Sequence, residues 1–178
     1  MSMSNVGAKK GIMFLSSQDF YFITYNIFVI LFVLKCFGDR TFRDHRKLPF
    51  LVEFSSDHRL IDIMQRYENR KISNAADKQY YLKSYSDALT REKEIFKLLL
   101  ALERKGYVKL DARDQGFVAN VSLRMDKIPQ ETWDQALYDY EIRNVSSLVK
   151  TVKRISIRNL DSMLDKLYGS YGIERWLV

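Results

Sequence analysis

A chain of 178 residues is long enough to bury a real core, in one domain or in a small module with helical arms. Its single cysteine, Cys36, excludes an internal disulfide, and no Cys/His spacing resembles a zinc site, so a reducing, cytoplasmic setting without staples is expected. A net charge of +7 leaves phosphate or an acidic partner open, and 11 Tyr with 11 Phe against 7 Gly and 2 Pro describe an aromatic-rich, loop-poor chain.

The first element is the apolar stretch from Phe20 to Leu34, which reaches Phe37 across Lys35 and holds Thr24 and Asn26. A membrane span needs about 20 apolar residues. With only Lys9 and Lys10 ahead of it, the stretch also lacks the layout of a signal peptide. A helix over residues 17–37 is therefore predicted, with Ser16 or Ser17 as N-cap, Asp19 in the first turn and Gly38 as the stop. Tyr21, Tyr25, Phe28 and Phe32 form one row, and Ile23, Ile27, Ile30 and Leu34 line the other side. A helix apolar all round must be covered on several sides. The cover is either this domain's own core or a second subunit, with a membrane anchor as a third reading.

The charged stretch from Asp39 to Lys47 leads into Leu48 to Phe54, where Pro49 predicts a kink or break. Charged helices are expected over residues 41–67, the second capped by Ser56 and turning Leu60, Ile61, Met64 and Tyr67 inward. From Asn69 to Gln79 the chain is polar and aperiodic, which reads as a connection. Thr90 is then the expected cap of a helix over 90–105, with Ile95, Leu98, Leu99 and Leu102 inward and Gly106 as its stop. A hairpin over 107–124 follows: a strand from Tyr107 to Leu110, a turn from Asp111 to Gly116, and a strand from Phe117 to Leu123. Period two puts Phe117, Ala119, Val121 and Leu123 on one face, and Val118, Asn120, Ser122 and Arg124 on the other.

Pro129 suits the first turn of a long helical region from Gln130, with Trp133, Leu137 and Tyr140 in one row. Tyr138, Ile142, Val145, Val149 and Val152 form a second row, unless Asn144, Ser146 and Ser147 divide the helix in two. A last helix, capped by Asn159, turns Leu160, Met163, Leu164, Leu167 and Tyr168 inward and ends at Gly169.

Catalysis needs convergent groups, and none is visible. His45 and His58 each sit between an Asp and an Arg and read as part of a solvated face, Cys36 as an inert core thiol, and Glu92 with Glu94 as helix-surface charge. There is no glycine-rich phosphate loop. A protein that is not an enzyme, with no cofactor and no metal, is expected. Lys93, Lys97 and Arg104 fall in one arc opposite Ile95, Leu98 and Leu102, with Lys109, Arg113 and Arg124 on the hairpin. They are read either as contacts to duplex phosphates or as a solvated face bordered by Glu94 and Glu103. Arg143, Lys150, Lys153, Arg154 and Arg158 form a run free of acids, facing phosphate or an acidic partner, or balancing acidic helices.

Three stretches carry a family resemblance: Phe28-Val-Ile-Leu-Phe-Val-Leu-Lys35, the segment from Leu48 to Tyr67, and Leu98-Leu-Leu-Ala-Leu-Glu-Arg-Lys-Gly-Tyr-Val-Lys-Leu110 with its hairpin. Their order resembles the middle component of bacterial ABC-three-component and Lamassu-type defence systems, the group that includes the Ddm plasmid-defence system. The order helix, glycine, hairpin is the ending of a winged-helix domain, and the fold read from the elements is mainly α with a small β-hairpin (α+β): a helical arm over 1–68, a winged-helix core over 69–126 and a C-terminal helical region over 127–178. The resemblance implies an adaptor that bridges an SMC-like ATPase and a nuclease effector against plasmids or phage. No catalytic residue carries over. The rows Tyr21, Tyr25, Phe28, Phe32 and Tyr138, Ile142, Val145, Val149, Val152 are the expected partner interface, without a membrane. The alternative is a stand-alone winged-helix DNA-binding regulator.

Overall fold

The computed structural model describes residues 6–68, 70–113, 118–133 and 135–174, without side chains for 6–19 and 133–137. The chain is mainly helical with one two-stranded antiparallel hairpin. Its first helix, α1 (Val6–Val33), is already helical at Val6, so Ser16 and Ser17 lie inside it and not at its cap. It also stops earlier than Gly38. Lys35 takes the left-handed conformation at φ 55°, with Lys35 N donating to Phe32 O at 2.9 Å and Cys36 N to Leu31 O at 2.8 Å. That pair of bonds is the Schellman motif, here built on a lysine. The early stop frees residues 37–42 to run along the hairpin, where Phe42 exchanges two 2.8 Å bonds with Val121 and Leu123 N donates to Cys36 O.

The charged stretch before Pro49 is not a helix: only the 3-10 turn His45–Lys47 forms there. Pro49 instead starts α2 (Leu48–Ser56), because a first-turn proline gives up an N–H that has no partner in any case. The break falls one helix later. Asp57, not Ser56, caps α3 (His58–Arg66), accepting from Arg59 N at 2.9 Å. Leu60, Ile61 and Met64 face inward as expected.

The polar segment from Asn69 to Gln79 is a connection only in its first part. Asn74 Oδ1 accepts from Ala76 N and Asp77 N, and α4 (Ala75–Arg104) runs without interruption for 30 residues. Thr90 is therefore mid-helix, its hydroxyl donating back to Asp87 O at 2.8 Å. The expected separate helix over 90–105 is the last half of α4. Gly106 ends it as expected, at φ 79°, with Tyr107 N donating to Leu102 O.

Strands β1 (Val108–Arg113) and β2 (Val118–Leu123) pair in the register Val108 to Leu123 through Arg113 to Val118. Asp111 to Arg113 belong to a strand and not to the turn; Asp114 to Phe117 lie outside the described residues. Ala119, Val121 and Leu123 are buried, but so are Asn120 and Ser122 on the opposite face. The cause lies next door, where Asn120 Oδ1 accepts from Asp44 N at 3.2 Å and the 37–44 segment covers this side. Beyond the hairpin, α5 (Gln135–Thr151) passes unbroken through Asn144, Ser146 and Ser147, and α6 (Leu160–Leu167) is capped by Asn159 as expected. The last helix ends before Gly169, which opens a 3-10 turn through Tyr171.

One hydrophobic core draws on all these elements. At its centre α2 buries Leu48, Phe50, Leu51, Val52 and Phe54 against α1, α4 and α5. Phe50, Phe54, Tyr81, Tyr85, Tyr168 and Tyr171 form an aromatic cluster with ring centroids 5.0 to 6.0 Å apart. Edge-to-face pairs of this kind add stabilisation beyond burial.

Candidate interaction surfaces

Where α1 enters the core, its exposure changes within one turn. Tyr21 is 73% exposed, Phe22 44% and Phe20 39%, whereas Ile23 and Ile27 are buried. The rest of the aromatic row turns back onto its own chain. Tyr25 meets the Tyr138 ring at 4.5 Å and donates to Glu141 Oε2, Phe28 sets its edge to Tyr107, and Phe32 stacks on Phe37. The second expected interface row is likewise a seam inside the molecule: Val145 and Val152 are 1% exposed, and Tyr138, Ile142 and Val149 pack against the core. Two rows expected to face a partner are thus largely spent inside the molecule, meeting each other at Tyr25 and Tyr138. Tyr21, with Phe20 and Phe22, is what stays open. Among the described residues no helix is long and apolar enough to cross a membrane.

Lys93, Lys97 and Arg104 are exposed along the last half of α4, and Lys109, Arg113 and Arg124 along the hairpin. Lys109 and Arg124 line one shallow cleft of about 490 Å³ with Phe37 and Met125. Part of their charge is met locally, by Asp111 at 4.0 Å and Asp126 at 3.3 Å. Glu103, expected to border the stripe, instead accepts from Leu110 N at 2.8 Å and ties α4 to β1.

The second basic run is divided between a helix end and a loop. Lys150 is exposed on the last turn of α5, Arg143 pairs with Asp139, and Lys153 and Arg154 are exposed on the loop that follows. Arg158 is spent on structure, donating to Lys153 O and to Ser162 Oγ.

The loop is held by Lys47, the last residue of the charged stretch that begins at Asp39. Lys47 is fully buried and its Nζ donates to Ile155 O at 2.7 Å, Ser156 O at 3.1 Å and Arg158 O at 2.9 Å. The Phe42 ring lies 4.4 Å away, a cation–π distance. Burial pulls the Lys47 pKa down to about 8. Nothing in the local sequence marks it, since its partners are backbone carbonyls from the far end of the chain.

His45 is also not on a solvated face. It is 4% exposed, its ring lies 4.6 Å from Phe96, and its Nδ1 accepts from Ala119 N at 3.1 Å. Burial lowers its pKa, and the accepting Nδ1 leaves the neutral ring protonated on Nε2. His58 stays half-exposed, with Nδ1 at 2.8 Å from Asn144 Oδ1 and Nε2 at 3.2 Å from Asp62. Asn144 continues inward, its amide donating to Ser55 O, and Ser55 Oγ donates to Asn26 Oδ1. This polar chain crosses four helices and fixes their alignment. Cys36 is buried and its thiol is pushed up to about 11, which keeps it protonated and unreactive. No group of three metal-ligating side chains converges among the described residues.

Comparison with protein-family models, with curated proteins and with solved structures returns no match.

Proposed function

We propose that this chain is a non-enzymatic, winged-helix-type adaptor subunit that joins an SMC-like ATPase to a nuclease effector in a bacterial defence complex against plasmids or phage. The observation that carries the reading is the exposure of Phe20, Tyr21 and Phe22 on one helix. Three consecutive helical residues span roughly 200° of the circumference, more than one neighbouring helix covers. Large aromatics that leave a core in this way are the material of interface anchors. The helix, glycine stop and hairpin over Leu98 to Leu123 support the winged-helix part of the reading, and the sequence resemblance supports the choice of partners.

The experiment is co-expression with an SMC-like ATPase encoded beside this chain, followed by size-exclusion chromatography. The wild type co-elutes with the ATPase, and the double variant Tyr21→Ser, Phe22→Ser elutes alone with an unchanged circular-dichroism spectrum. A wild-type chain that runs as a monodisperse monomer and ignores the ATPase overturns the reading. The second reading, a DNA-binding regulator, is favoured by the exposure of Lys93, Lys97 and Arg104. It requires salt-dependent duplex binding that Lys93→Glu with Lys97→Glu abolishes.

A further inference from the structure

Between the end of α1 and the loop after α5 lies a cleft of about 420 Å³. Three guanidinium-bearing residues line it: Arg40 and Arg43 from one wall, Arg154 from the other. Asp39 is the carboxylate among the lining residues, so three positive charges against one negative leave two positive. Asp44, on the same segment, is already held by Arg46 at 2.7 Å. Leu34 and Ile157 add apolar side chains to the lining.

The walls are fixed in place. Arg43 N donates to Ser156 O at 2.8 Å, tying two lining residues together, and Lys47 binds the carbonyls of Ile155, Ser156 and Arg158. Arg154 itself adopts the left-handed conformation at φ 60°, its carbonyl accepting from Ile157 N and Arg158 N. A glycine takes this turn without strain and an L residue does not, so an arginine here points to a use for its side chain. Guanidinium groups held on rigid backbone are suited to the bidentate recognition of phosphate oxygens.

We propose that this cleft binds a small phosphate-bearing ligand of nucleotide size, its dianionic group held by Arg40, Arg43 and Arg154 and its apolar part resting on Leu34 and Ile157. The volume lies in the range of small-molecule sites. The proposal stands apart from the adaptor reading, because it uses neither the aromatic start of α1 nor the cations of α4.

Titration calorimetry on the full chain tests it, with adenosine monophosphate and inorganic phosphate as probes. Arg154→Gly is compatible with the left-handed backbone and removes the side chain with its guanidinium; Arg40→Gln is the second cleft variant, and Lys150→Gln, exposed and outside the cleft, is the control. Saturable binding is expected, tighter for adenosine monophosphate than for phosphate, weakened about tenfold in each cleft variant and unchanged in the control. Thermal unfolding of the variants checks the fold, and Arg40→Gln alone decides the matter if Arg154→Gly is unstable. The proposal is overturned if neither probe binds, or if the control loses as much as the cleft variants.

Discussion

Three carbonyl oxygens hold the Lys47 ammonium inside the protein, and that arrangement couples stability to pH. Burial pulls the folded pKa to about 8, below the ordinary lysine value of about 10.4. Below the folded value both states are protonated, and the folded chain carries the full cost of a buried cation. Between the two values the unfolded chain binds more protons, so stability rises with pH across that window. Tyrosines reverse the trend above it. Burial raises the phenols of Tyr81, Tyr168 and Tyr171, while unfolded tyrosines ionise near a pH of about 10 and favour the unfolded chain from there upward. The buried Cys36 thiol, raised to about 11, opposes the climb because it ionises first in the unfolded chain, so the test is made in a Cys36→Ala background, where urea midpoints should climb from about 8 and turn down beyond about 10. In Lys47→Met the climb should vanish while the fall remains; a variant profile that still climbs contradicts the assignment. At neutral pH the same variant should lose about 2 kcal/mol, because the carbonyls of Ile155 and Arg158 lose the Lys47 donor and Ser156 O keeps only Arg43 N. Hydrogen exchange at Arg43 N, whose acceptor Ser156 belongs to the clamped loop, should speed up with it.

At the scale of the element, the two candidate starts of α4 make opposite predictions. Asn74 accepts from two first-turn amides, so Asn74→Ala should cost about 1 kcal/mol in chemical denaturation. Thr90 sits in the helix interior, where alanine is the better residue, so Thr90→Ala should add a few tenths of a kcal/mol. A loss of about 1 kcal/mol in Thr90→Ala would restore the boundary at that position. The sequence hides this helix for a physical reason. Its inward face between Asp77 and Ala88 is made of Asp77, Tyr81, Ser84, Tyr85 and Ala88, mostly polar-looking residues that pack against distant parts of the chain. Asp77 meets Arg66 at 2.9 Å, Ser84 Oγ lies 3.3 Å from Tyr168 Oη, and Tyr81 packs its ring on Phe54 and Tyr168. Gly106 and the hairpin are legible because their signals are local, a left-handed glycine and a period of two. Of the arginine cleft only Arg154 is legible, as part of the acid-free basic run, since Arg40 and Arg43 join it only when a loop from the far end of the chain closes on the end of α1.

For the whole molecule, the question is whether the helical arms and the hairpin unfold separately or together. The core cluster runs without interruption from Ile23 through Phe54, Leu99 and Val121 to Tyr171, and α2 touches α1, α3, α4 and α5. A helix surrounded in this way transmits its loss to every neighbour. Phe54 is fully buried on this helix, its ring set between Tyr81 of α4 and Tyr168. Phe54→Ala should cost about 3 to 5 kcal/mol, the usual range for deleting a packed phenyl ring. Native-state hydrogen exchange then separates the two architectures. If the chain is one cooperative unit, the slowest amides of α1, α4, β2 and α5 share one opening free energy and all fall by the same amount in Phe54→Ala. If residues 108–123 kept their protection while the helices lost theirs, the hairpin would be an autonomous module. The bonds from Phe42 and Cys36 to β2 argue for the first outcome, because the hairpin's second strand is hydrogen-bonded to the segment that leads out of α1.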